Sequence, residues 1–207
     1  FETTLACFAQ GQARADSHRR VIDNACLLAE LGGGVLVVGT DGPSANDAPD
    51  DPLAPIATAL AEAAEAVRHT GVTLCIEFNW SPVIKSLKGA AEVVRRAGAD
   101  NVRVLFDTAH YYCTPTKLEH LDADTVPLIG HVHLNDMRDK PPELSHCNND
   151  RVLPGDGCLD LPAILAALDR HGYRGRYAIE MFNEELWSLP AEGAARRMHR
   201  SLLPYCD

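Results

Sequence analysis

Four short apolar runs, each carrying a carboxylate or an imidazole at its end, constrain this chain more than any other feature. Val72-Thr73-Leu74-Cys75-Ile76 stops at Glu77, and Val102-Arg103-Val104-Leu105-Phe106 stops at Asp107. His131-Val132-His133-Leu134 carries imidazoles and leads into Asn135-Asp136, and Tyr177-Ala178-Ile179 stops at Glu180. Runs of this length, rich in β-branched and apolar residues, read as buried strands rather than helices. Each is followed by a loop and then a segment with helical periodicity. In a closed parallel sheet the strand ends meet at one mouth, so such runs would gather three carboxylates and a histidine.

The remaining chain repeats the same unit. Thr3–Phe8 reads as a short strand. Ser17 is placed to cap a helix over 18–31, which Gly32-Gly33-Gly34 ends. Val35–Val38 is a strand, Thr40–Pro52 a polar loop, and 53–69 a helix with Ile56, Leu60, Ala63, Ala64 and Val67 at helical spacing. Helices are further expected over 83–97, weakly over 117–124, over 160–171 behind an Asp160 cap, and over 190–203.

Strict alternation of this kind predicts an α/β fold of (β/α)8 TIM-barrel type. Six units are counted where such a barrel has eight, and the sequence opens on Phe1 rather than Met. The expectation is therefore a single domain over 1–207 that lacks the first one or two β/α units. An open doubly wound sheet would normally place a Gly-rich phosphate loop after its first strand, and the sequence has none.

Composition narrows the partners. A formal charge of −10 disfavours nucleic acid, which needs clustered Lys and Arg. Seven dispersed cysteines without a CxxC pair indicate reduced thiols and a cytoplasmic setting. No run reaches membrane-spanning length. The partner expected is a small-molecule sugar or polyol, with a homo-oligomer left open.

Glu77, Asp107, His133 and Glu180 are spaced 30, 26 and 47 residues apart, which fits one residue per consecutive strand with one enlarged loop. Three carboxylates and an imidazole suit one divalent metal ion: Mn, Mg, Co or Zn. His110, three residues beyond Asp107, is placed to reach over the mouth towards a substrate oxygen. The loop 135–158 is too long for a plain connector, and its Arg138 and Arg151 suit substrate hydroxyls or an anion, whereas Lys140 reads as solvated. Asp156 is expected to order the Gly155-Asp156-Gly157 turn, and His131 to support the site rather than ligate. Trp80 and Trp187 follow the Glu77 and Glu180 strands, where aromatic faces suit sugar rings.

These stretches, with Phe106-Asp107-Thr108-Ala109-His110 and Arg151-Val152-Leu153-Pro154-Gly155-Asp156-Gly157, resemble the sugar phosphate isomerase/epimerase family of the xylose-isomerase-like barrel superfamily. The resemblance runs from about residue 19 onward. It implies metal ligation by Glu77, Asp107, His133 and Glu180, with Glu77 and Glu180 doubling as the proton-transfer pair. The implied activity is a metal-dependent isomerase or epimerase in carbohydrate metabolism, acting on a keto-sugar or related polyol through a metal-stabilised enediolate. The same ligands also serve a dehydratase of an inosose or a 3-dehydroshikimate-like substrate. An abasic-DNA endonuclease of the superfamily is disfavoured by the charge and the sparse ligand set. A non-catalytic barrel would bind no metal. No phosphate cradle is visible, which points to an unphosphorylated substrate.

Overall fold

A computed structural model describes residues 2–44 and 46–206; Phe1, Ala45 and Asp207 lie outside it, Ala45 within the loop expected over 40–52. The chain runs β1 (Glu2–Leu5), α1 (Gly11–Glu30), β2 (Val35–Thr40), α2 (Leu53–Val67), β3 (Thr73–Glu77), α3 (Leu87–Ala97), β4 (Val102–Asp107), α4 (Thr108–Tyr112) and β5 (Ile129–Leu134). It continues through β6 (Asp136–Met137), β7 (Arg151–Val152), α5 (Leu161–Arg170), β8 (Tyr177–Ile179), α6 (Glu184–Trp187) and α7 (Ala191–Leu202). Six strands form one sheet in the order β1-β2-β3-β4-β5-β8, with parallel register, and β6 and β7 form a separate antiparallel pair. This is the parallel α/β architecture that the alternation predicts.

Two compact units are distinguished, one of residues 1–106 with 127–131, the other of 107–126 with 132–207. In the first, α1 and α2 lay Val21, Ala25, Ile56, Leu60 and Val67 against a sheet whose Leu36, Leu74, Ile76 and Val104 are fully buried. Each such side chain contributes roughly 1.5–3 kcal/mol by leaving water. On the other face Val37, Cys75 and Leu105 form a small apolar layer. The backbone of Gly130 closes on that layer, since a Cβ there would come 2.8 Å from the Cys75 sulfur. Asp41, just past β2, accepts the N–H groups of Cys7 (2.6 Å), Phe8 (3.1 Å) and Ala9 (2.8 Å) and fixes the loop after β1.

Several boundaries differ from the sequence reading. Helix α1 begins at Gly11, so Ser17 is not its cap. Ser17 is buried inside the helix, donates to Thr4 O (2.8 Å) and accepts from Ala6 N–H (2.9 Å), which ties the helix to β1. Helix α3 starts at Leu87, where the Ser86 hydroxyl accepts from Gly89 N–H, rather than at residue 83. The weak helix expected over 117–124 is a single 3-10 turn, Leu118–His120.

In the second unit Asp160 caps α5 through Ala163 N–H, and Gly172 ends it at φ 89°. The long 135–158 loop holds β6 and β7, so it is a structured hairpin with an excursion between its strands. Among the described residues no helix is long and apolar enough to cross a membrane.

Candidate metal centre

Asp107 ends β4 and its carboxylate is fully buried. Its Oδ1 accepts N–H groups from Ala109 (2.7 Å) and His110 (3.0 Å), so the residue also caps α4, a turn that the sequence reading left as loop. Its Oδ2 accepts from Asn135 Nδ2 (3.2 Å). Asn135 is in turn held by Thr108, whose hydroxyl donates to Asn135 O (2.7 Å) and accepts from Asn135 N–H (2.9 Å). Asn135 and Thr108 were not singled out in the sequence as site residues. The signal was their position immediately after two of the chemistry-bearing strands.

His133 projects from β5 beside that carboxylate, with Nδ1 3.7 Å from Asp107 Oδ2 and 3.4 Å from Glu180 Oε2. These separations exceed the 2.7–2.9 Å of a charge-assisted hydrogen bond. The 3.4 Å separation falls within, and the 3.7 Å one slightly beyond, the roughly 3.0–3.5 Å expected between neighbouring donors about one ion with ligand bonds of about 2.0–2.2 Å. Glu180 stands one residue beyond β8 and is 19% exposed, so this carboxylate of the cluster can be reached from outside.

Arg151, on β7, is 1% exposed and places Nη1 3.2 Å from Asp107 Oδ2 and against Glu180 Oε2. Its Nε donates to Cys147 O (2.6 Å), and its guanidinium carbon lies 5.1 Å from the Phe182 ring centre. The residue that the sequence offered as a partner for hydroxyls or an anion is thus seated against two carboxylates of the cluster. His110 is buried on α4; burial pushes its imidazole below the ordinary value, helped by Arg151 and His133 and opposed by Asp107 and Glu180. The neutral ring is therefore the favoured form at neutral pH.

Asp136, also not singled out, holds the frame. Its carboxylate accepts the N–H groups of Met137 (2.8 Å), Gly155 (3.1 Å), Gly157 (3.1 Å) and Leu159 (2.9 Å). This residue, rather than the exposed Asp156, orders the glycine turn. The backbone of Asp136 pairs with Val152 in the β6–β7 register, beside Arg151 on the same strand.

Glu77 belongs to the first unit, where it ends β3 and is 5% exposed. Its register partner is Leu105, so it lies on the sheet face of Cys75 and Leu105, where alternation also places Asp107. Within the second unit, Asp107, His133 and Glu180 offer donor atoms able to hold a metal ion. Trp80, also in the first unit, lays its ring over Gly39, where a Cβ would meet Cδ2 at 2.5 Å. In the second unit Arg138 is exposed, and Trp187 is 64% exposed, its ring edge-on to Phe182 at 6.4 Å.

Comparison with known proteins agrees with this architecture. Residues 6–205 match the family described as xylose isomerase-like TIM barrel. An inosose isomerase of Halalkalibacterium halodurans is 30% identical over 139 residues, covering 66% of this chain and 49% of that protein. An inosose dehydratase of Serratia proteamaculans is 28% identical over 156 residues, covering 68% of this chain and 51% of that protein. The chain thus spans about half the length of the curated relatives it matches. The solved structure of an IOLI protein with a bound zinc atom superposes with a TM-score of 0.84 at 22% identity, over 99% of this chain and 75% of that one. An L-ribulose 3-epimerase structure gives a TM-score of 0.71 at 22% identity, over 89% of this chain and 62% of that one. By its strand order, its strand-end chemistry and this match over nearly its whole length, the chain belongs to the xylose isomerase-like TIM barrel family.

Proposed function

We propose that this chain carries the site of a divalent-metal-dependent isomerase or epimerase acting on a keto-sugar or related polyol, an inosose being the first candidate. The observation that carries the reading is the grouping of Asp107, His133 and Glu180 donor atoms, with Asp107 and His133 buried and His133 Nδ1 3.4 Å from Glu180 and 3.7 Å from Asp107. Glu77 completes the set as the fourth ligand, supported by its buried strand-end position on the shared sheet face. Relatives called inosose isomerases point to the substrate class.

A bound divalent ion would supply Lewis-acid polarisation of a carbonyl and its neighbouring hydroxyl. Glu180 removes the proton from the carbon beside the carbonyl, and Glu77 returns one. Return to the opposite face of that carbon gives an epimer, and return to the neighbouring carbon gives an isomer. Arg151 holds Glu180 in place, while the neutral His110 ring donates a hydrogen bond to a substrate oxygen. Phe182 packs its ring on the Arg151 guanidinium.

Metal analysis of the full chain after reconstitution should give about one equivalent of divalent ion, lost in His133→Ala. With the site saturated, Glu180→Gln should stop exchange of the substrate α-proton with solvent. Absence of metal from the wild type would sink the reading, and persisting exchange in Glu180→Gln would remove that residue from the chemistry. A second reading, dehydration, is favoured by relatives called inosose dehydratases at 28% and 27% identity. A product lighter by one water would establish it.

A further inference from the structure

A cavity opens wholly within the second unit, with Phe182 in its wall. It encloses about 450 Å³, and its walls include Arg138, Asn148, Asn149, Phe182, Asn183 and Trp187. Its volume falls in the range of small-molecule sites. Phe182 belongs both to this cavity and to the Arg151 contact, so the two spaces share a wall.

The chemistry of the walls is specific. They offer aromatic surface, with Trp187 64% exposed and braced edge-on by Phe182, together with three carboxamides. Asn183 uses its Oδ1 to cap α6 through Leu186 N–H at 3.0 Å. Among the described residues, the Nδ2 groups of Asn148, Asn149 and Asn183 donate to no protein acceptor. Aromatic surface and several amide donors in one cavity suit a sugar ring, whose C–H face stacks while its hydroxyls hydrogen-bond. The walls are preformed. Asp150, next to Asn149, accepts from Lys140 Nζ (2.7 Å) and His146 N–H (2.9 Å), and Glu185 on α6 is tied to Arg197 on α7 at 2.6 Å.

Charge discriminates between ligand classes. Arg138 is the cation in the walls, and Glu184 and Glu185 also line the cavity. Arg197 neutralises Glu185, which leaves Arg138 against Glu184. An anion such as phosphate needs a surplus of positive charge, and this cavity has none.

We propose that this cavity is a saccharide subsite, so that the substrate is an inosose or keto-sugar carrying a second, uncharged sugar ring rather than a lone ring. The inference rests on the sugar-directed reading of the neighbouring cluster. Its test requires neither metal nor turnover, so the two can fail separately.

The chain has two tryptophans, and Trp80→Phe leaves Trp187 as the only indole. Titration of that variant with methyl β-D-glucoside, cellobiose and inorganic phosphate should give a saturable emission change with at least one saccharide and none with phosphate. Replacing Asn148 and Asn149 together by alanine should raise the half-saturation point roughly tenfold, the loss of about 1.4 kcal/mol of hydrogen bonding. If Trp80→Phe folds poorly, the difference between wild type and Trp187→Phe supplies the same signal. No saturable change with either saccharide, saturation by phosphate, or an unmoved half-saturation point in the double variant would each overturn the proposal.

Discussion

The guanidinium of Arg151 lies 3.2 Å from the Asp107 carboxylate, and neither side chain is more than 1% exposed. The same nitrogen meets Glu180, so one buried cation bridges two of the proposed metal ligands. Removing it in Arg151→Ala leaves those carboxylates facing each other. Breaking a buried pair from one side costs about 3–5 kcal/mol, and the partial exposure of Glu180 puts the expected loss near 3. Urea denaturation of the metal-free chain reads this loss. Added divalent ion should recover more stability in the variant than in the wild type, because it then supplies the missing positive charge.

At Gly157 a Cβ would lie 2.3 Å from both Asp136 Oδ1 and Met137 O. Gly157→Ala must therefore push the turn off the Asp136 carboxylate. A loss of about 1–3 kcal/mol is expected, as for an overpacked core. Denaturation midpoints would show it, and an unchanged midpoint would mean that the turn is looser than described.

The Asp150 carboxyl is held below its ordinary value, chiefly by the His146 N–H and then by the Lys140 ammonium, with burial opposing. A depressed native value means that its contribution is complete above the unfolded carboxyl value, about 4, and is lost as pH falls through the native one. Pepsin cleavage within 138–151 should therefore rise steeply as pH drops below about 4. Asp150→Asn should be cleaved more readily already at pH 5 and show little further pH dependence.

Gly39→Ala would bring a methyl within 2.5–2.7 Å of the Trp80 ring. Trp80 is 37% exposed, so the indole swings outward rather than straining β2. The expected cost is about 1 kcal/mol, at the low end of overpacking, with a red shift of tryptophan emission in the Trp187→Phe background.

The strand ends were legible because period-two alternation and parallel register are local rules. Glu77 and Asp107 each close a run, and His133 stands one residue before the end of another, whose apolar neighbours already read as buried. Ser17 was misread because a serine ahead of an apolar period looks like a cap; its role comes from Thr4 and Ala6, which lie 13 and 11 residues away. Asp136 was passed over for the same reason, since three of its four N–H donors lie 19 to 23 residues downstream. Helix α4 escaped notice because it is five residues long and its cap had already been given another role.

The capping role of Asp107 also decides how its carboxylate is presented. With Oδ1 engaged by two backbone amides, the carboxylate cannot rotate, and Oδ2 stays where the start of α4 puts it. The orientation of this carboxylate is thus set by the start of a helix, when the chain folds, and not by whatever later meets its other oxygen.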